Sequence, residues 1–120
     1  MEIQHFIAVA CVRHPNVEFI YARQLGATES VLKILKRNLR KVMASMDMPD
    51  PKSTGVILLG RGSSDMVANG EVAKMGRWLF EETDHELVDI AFTGITYPRL
   101  ETAVQRQTQL GMTQVAILPY

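Results

Sequence analysis

The 120-residue chain has a single cysteine, Cys11, no excess of one charge and no long apolar run. One cysteine excludes an internal disulfide and any cysteine-rich metal knuckle, and fits a reducing compartment, most simply the cytoplasm. With 13 basic residues against 13 acidic and no Lys or Arg run beyond a dipeptide, the electrostatic footprint of a nucleic-acid or anionic-membrane binder is missing. The longest apolar stretches, Phe6 to Val12 and Val56 to Leu59, fall well short of the roughly 20 residues that a membrane helix requires. No charged-apolar-small signal peptide opens the chain. The length suits one domain able to bury a core unaided.

Short β-rich runs alternate with helical patterns. Glu2 to Arg13 carries apolar residues at helical spacing and ends at Pro15 and Asn16; Val17 to Ala22 alternates as a strand, and Gly26 breaks it. Thr28 can cap a helix whose stripe is Val31, Leu32, Leu35, Leu39, Val42, Met43 and Met46. Met48 to Ser53 holds two prolines and reads as a semi-rigid connection, so the expected organisation is 1–48, a linker at 49–53, and a second unit over 54–120. Gly55 to Leu59 follows as a buried strand, then a glycine loop, then a helix from Met66 to Glu82 bearing Ala68, Val72, Met75 and Leu79. Leu87 to Phe92 predicts another strand, Pro98 the first turn of a helix reaching Leu110, Gly111 its cap, and Val115 to Leu118 a last strand. The fold class is therefore α/β: a parallel sheet of about four strands with helices on both faces.

Ligands of such sheets bind beyond the carboxyl ends of the strands. Of the loops placed there, Gly60-Arg61-Gly62-Ser63-Ser64-Asp65 is the most informative. Its glycines permit positive φ and close approach, Ser63, Ser64 and Asp65 can cap the next helix, whose N-terminus favours an anion, and Arg61 adds a permanent cation with a fork shaped for carboxylate or phosphate. A capped turn with no ligand fits the same residues equally well. The loop lacks the Walker A Gly-Lys-Ser/Thr and the full dinucleotide fingerprint, which disfavours ATP and NAD. Thr93, Thr96, Tyr97 and Arg99 occupy a second such loop and Arg23 a third, so three arginines could rim one crevice. His5, His14 and His85 do not pair in the pattern; each reads as a solvated surface residue. Asp89, inside a strand, reads as an edge or paired carboxylate, and the methionines as core filler. No nucleophile elbow, zinc signature or Ser-His-Asp set is present, so the residues assign no catalytic group and no metal ligand.

Four segments carry a family resemblance: Gly-Arg-Gly-Ser-Ser-Asp at 60 to 65, Ala-Asn-Gly-Glu-Val-Ala-Lys at 68 to 74, Ala-Phe-Thr-Gly-Ile-Thr-Tyr-Pro at 91 to 98, and Ile-Leu-Pro-Tyr at 117 to 120. Together they resemble the second half of the long CbiX-type sirohydrochlorin chelatases, while Arg13 to Phe19 with Ala22 to Gly26 resembles the end of that family's first half. The resemblance implies a chelatase-like fold of two similar flavodoxin-like halves, and insertion of Co2+ or Fe2+, or Ni2+ in relatives, into sirohydrochlorin on a cobalamin or siroheme pathway. The divalent metal is then a substrate and no tightly bound cofactor is implied. The tetrapyrrole's carboxylates are the anions that the Gly60–Asp65 loop, Thr93, Thr96, Tyr97 and Arg23 would meet.

The chain also departs from the family. Its catalytic half carries Gly-His-Gly-Ser; here Arg61 replaces the histidine, and a guanidinium offers no lone pair to a metal. Thr93 stands where that half often has an acidic residue, and the second histidine would fall just upstream of Met1. The expectation is an internal segment, or a shortened member, that holds substrate and lacks most of the metal-binding half. It would pair with another chelatase half or with a second copy; the alternative is a non-catalytic binding or dimerisation module on the same fold.

Overall fold

The computed structural model describes residues 27–120. The expected helix at 2–13 and strand at 17–22, together with Arg23, His5 and His14, lie outside the described residues. Within them the order is α1 (Glu29–Ser45), β1 (Thr54–Gly60), α2 (Met66–Glu81), β2 (Val88–Phe92), α3 (Leu100–Gln109) and β3 (Gln114–Pro119).

The three strands form one parallel sheet in the order β2-β1-β3. Val56 pairs with Val88 and Ala116, and Leu58 with Ile90 and Leu118. β1 is central and buried on both faces, which is why its sequence is a continuous apolar run and not an alternation. One face packs Val56, Leu58, Phe92, Ala116 and Leu118 against Leu32, Leu35 and Leu39 of α1 and Val72, Met75 and Leu79 of α2. The other packs Ile57 and Ala91 against Ala103, with Leu100 and Val104 of α3 beside them. Helices therefore cover both faces, as the alternating pattern requires. The helix before the prolines and the sheet after them share one core.

Local chemistry sets the helix ends. Thr28 Oγ1 accepts the Val31 N–H at 3.2 Å to start α1, and Asp65 Oδ1 accepts the Val67 N–H at 3.0 Å to start α2. At Gly111 φ is +97° and its N–H returns to the Thr108 carbonyl at 3.1 Å, closing α3 as expected. Pro98 departs from expectation. Its carbonyl accepts the Phe92 N–H at 2.9 Å and Arg99 bridges to Phe92, so the chain is still extended there and α3 begins only at Leu100, after an Arg99 cap residue.

His85 departs as well. It is only 6% exposed, and its Nδ1 lies 2.9 Å from the Thr54 carbonyl at the amino end of the sheet. A hydrogen bond to a strand carbonyl, invisible in a sequence pattern, moved it from solvent into the structure. Asp89 is half-buried on the edge strand β2 and accepts from Gln107 Nε2 at 3.2 Å, which agrees with a paired carboxylate. Of the methionines, Met75 is core, while Met66 at the start of α2 is exposed. No helix among the described residues is long and apolar enough to cross a membrane.

Candidate functional site

β1 has its chain neighbours on opposite sides: α2 leads to β2 at one edge, and α3 carries the chain back across the sheet to β3 at the other. This reversal leaves the loops at the carboxyl ends of β1 and β3 beside a crevice, the usual ligand position in open α/β sheets. A cleft of 790 Å3 lies there. Gly60, Arg61, Gly62 and Ser63 form one wall, Val67, Ala68, Asn69, Glu71, Val72 and Lys74 of α2 a second, and Ala27, Thr28, Phe92 and Tyr120 complete it.

The Gly60–Asp65 loop is fastened from behind by the loop after β2. Thr93 and Gly94 donate their N–H groups to the Gly60 and Arg61 carbonyls at 3.0 and 3.2 Å, and Thr93 Oγ1 donates to the Arg61 carbonyl at 3.2 Å. Thr96 Oγ1 lies 3.2 Å from Ser63 N, whose proton it accepts, and 3.0 Å from Ser63 O. Asn69 closes the knot: its Oδ1 accepts the Ser63 N–H at 3.1 Å and its Nδ2 donates to the Ser63 carbonyl at 2.8 Å. Gly62, at φ +90°, passes so close to the second loop that a Cβ there would collide with the Gly94 carbonyl. Its freedom therefore serves loop-to-loop contact and not ligand approach.

This accounting changes what the loop can do. The N–H groups of Ser63, Asp65 and Val67 are bonded within the protein, to Asn69 and Thr96, to Ser63 Oγ at 3.0 Å, and to the Asp65 carboxylate. Asp65 also sets a negative charge at the start of α2, where an anion would otherwise be favoured. Arg61 is exposed at the cleft and enters no ion pair among the described residues, and Lys74 is a second cation in the lining. Ser64 is exposed and does not line the cleft.

Of the second loop, Thr93, Thr96, Tyr97 and Arg99 stand outside the cleft lining. The Arg99 guanidinium lies 4.6 Å from the Tyr97 ring centre, and its Nε donates to the Thr96 carbonyl at 3.1 Å, so both side chains serve their own loop. Ile95 in that loop has φ +64°, a strained setting for a β-branched residue, and is exposed. The expected three-arginine rim reduces, among the described residues, to Arg61.

Sequence reasoning missed three residues that matter here. Asn69 locks the loop. Glu71 accepts the Ala27 N–H at 2.7 Å across 44 residues. Tyr120, held by its N–H to the Leu59 carbonyl at 2.9 Å, has its hydroxyl pKa raised by burial and then by the Glu71 charge, so it remains an O–H donor. The available signal was that all three fall within the segments that carry the family resemblance, 68 to 74 and 117 to 120. Among the described residues no three His, Cys, Asp or Glu side chains gather closely enough to hold a metal ion.

The CbiX family model matches residues 55–120. The sirohydrochlorin cobaltochelatase of Priestia megaterium is 40% identical over 108 residues, covering 90% of this chain and 35% of that protein. The sirohydrochlorin ferrochelatase of the same organism is 24% identical over 108 residues, covering 90% of the chain and 39% of that protein. The chain thus spans little more than a third of the curated relatives it matches. In fold it is similar to SirB from Bacillus subtilis with Fe3+, at TM-score 0.71 and 24% identity over 98% of this chain and 45% of that one. A cobalt complex of the sirohydrochlorin chelatase SirB from Bacillus subtilis subspecies spizizenii aligns at TM-score 0.56 and 18% identity, over 98% of this chain and 53% of that one.

Proposed function

This chain belongs to the CbiX family, and from that premise we propose that it is the substrate-holding part of a sirohydrochlorin metal chelatase, binding tetrapyrrole carboxylates through Arg61. The observation that carries this reading is the exposed Arg61 guanidinium at the mouth of a cleft whose backbone is locked by a second loop. A guanidinium fork suits a carboxylate, and a loop that does not rearrange loses little entropy when it binds one. Gly60, Gly62 and Ser63 shape the contact, while Asp65, Thr93 and Thr96 hold it in place. Tyr97, outside the cleft lining, and Arg23, outside the described residues, are kept as proposed substrate contacts.

A guanidinium offers no lone pair to a metal, so Arg61 cannot ligate one. Co2+ or Fe2+, the substrate metal, is accordingly bound by another chelatase half, in the same polypeptide or in a partner copy, and metal insertion by this chain alone is expected to be slow or absent. We place the reaction in the cytoplasm, on a route to cobalamin or siroheme, in keeping with one cysteine in the chain.

The test is an absorbance titration with sirohydrochlorin. Arg61→Ala is expected to weaken binding about tenfold, the worth of one charge-assisted contact, and added salt should weaken the parent more than the variant. An unaltered affinity in the variant would remove Arg61 from substrate recognition. A parent chain that binds no tetrapyrrole but self-associates would favour the pairing module instead.

A further inference from the structure

Among the described residues the cleft lining holds one carboxylate, Glu71, that substrate holding by Arg61 leaves unused. Glu71 sits on α2, half-buried, with Oε2 accepting the Ala27 N–H at 2.7 Å. The two ion pairs among the described residues, Lys36–Glu82 and Arg77–Glu81, do not include it. Lys74, one turn along α2, is directed to the Trp78 ring, its Nζ 4.9 Å from the centre. A carboxylate partly removed from water, with one hydrogen bond and no cation partner among the described residues, is under-compensated for its lost hydration there. Glu71 and Tyr120 line the same cleft, and the Glu71 charge helps raise the Tyr120 hydroxyl pKa, after burial.

Such a group disfavours ligand carboxylates and favours N–H donors. Building on the substrate-holding role of Arg61, we infer that Glu71 accepts a hydrogen bond from an N–H of the free-base macrocycle while Arg61 takes a peripheral carboxylate. The cleft is then bipolar, offering a cation to the carboxylates at the ring's edge and an acceptor to the N–H groups at its centre. The same contact distinguishes substrate from product. On metal insertion each inner N–H is replaced by a metal–nitrogen bond and its proton passes to solvent, so the product has no inner N–H for Glu71 but keeps every carboxylate for Arg61. Binding at Glu71 is lost on turnover and binding at Arg61 is not, which helps release the metallated ring.

The test compares two ligands on the full chain by equilibrium absorbance titration: sirohydrochlorin and its cobalt complex. Glu71→Gln keeps the side-chain size and an oxygen for the Ala27 N–H, and removes the charge. It is expected to weaken sirohydrochlorin about tenfold and the cobalt complex less than about twofold, with Glu71→Asp intermediate on sirohydrochlorin. Equal effects on both ligands, as a purely structural role would give, or no effect on either, would overturn the inference. Arg61→Ala should weaken both ligands alike. If it does while Glu71→Gln fails to discriminate, only the Glu71 role falls; if Arg61→Ala changes neither ligand, or the parent binds neither, the substrate-holding role falls and Glu71 with it.

Discussion

At the amino end of the sheet Thr54, His85 and Gln107 turn their polar atoms inward, whereas at the carboxyl end Arg61, Glu71 and Tyr120 surround an open cleft. Gln107 is fully buried; its Nε2 donates to the Val56 carbonyl at 2.9 Å and lies 3.2 Å from Asp89 Oδ2. His85 is bonded to the Thr54 carbonyl, and two buried atoms there, Thr54 Oγ1 and Gln107 Oε1, have no partner among the described residues. The carboxyl end divides its polar groups differently. Asn69, Ser63, Thr93 and Thr96 are consumed in locking two loops together, and the charged side chains are left facing the cleft. One end uses hydrogen bonds to seal the core; the other uses them to hold charges where a ligand can reach them.

Substitutions at the two ends sharpen this contrast, beginning with the largest expected effect. Gly62→Ala meets both a positive φ and the Gly94 carbonyl, and should cost about 3 kcal/mol or more in urea unfolding, because backbone on either side must move. Gln107→Leu removes the donor to the Val56 carbonyl and Asp89 within a sealed region, and should cost about 2–3 kcal/mol in the same measurement. Thr96→Val keeps the shape but unfastens the loops, costing about 1–2 kcal/mol and weakening tetrapyrrole binding, since the Arg61 loop is freed. Thr54→Val replaces an unpartnered buried hydroxyl and should be neutral or stabilising by up to about 1 kcal/mol. Arg61→Ala should leave unfolding within about 0.5 kcal/mol of the parent, as for an exposed residue without partners, while binding falls. If Arg61→Ala were instead as destabilising as Gln107→Leu, the two ends would not differ as described.

The sequence makes the sheet readable because its signals are local. A continuous apolar run marks β1 as buried on both faces, the leucine stripe marks the face of α1, and Asp65 stands where a helix cap must be. What it hides are contacts between residues far apart in the chain. Ser63 looks like a free anion-binding amide until Asn69 and Thr96 are seen to occupy it. Glu71 is one letter of the 68 to 74 segment until the Ala27 N–H is found on it, and His85 looks like a surface histidine until the Thr54 carbonyl is found beside it. Pro98 suits a helix start by type, yet the Phe92 N–H claims its carbonyl first.

The contrast between the two ends is tested most directly by an amide NMR titration of the chain with sirohydrochlorin. Shifts concentrated at Gly60 to Ser63, Glu71 and Tyr120, with Thr54, His85 and Gln107 unmoved, are expected if the carboxyl-end cleft is the binding site. Shifts centred on the amino end, or spread evenly over the chain, would contradict it.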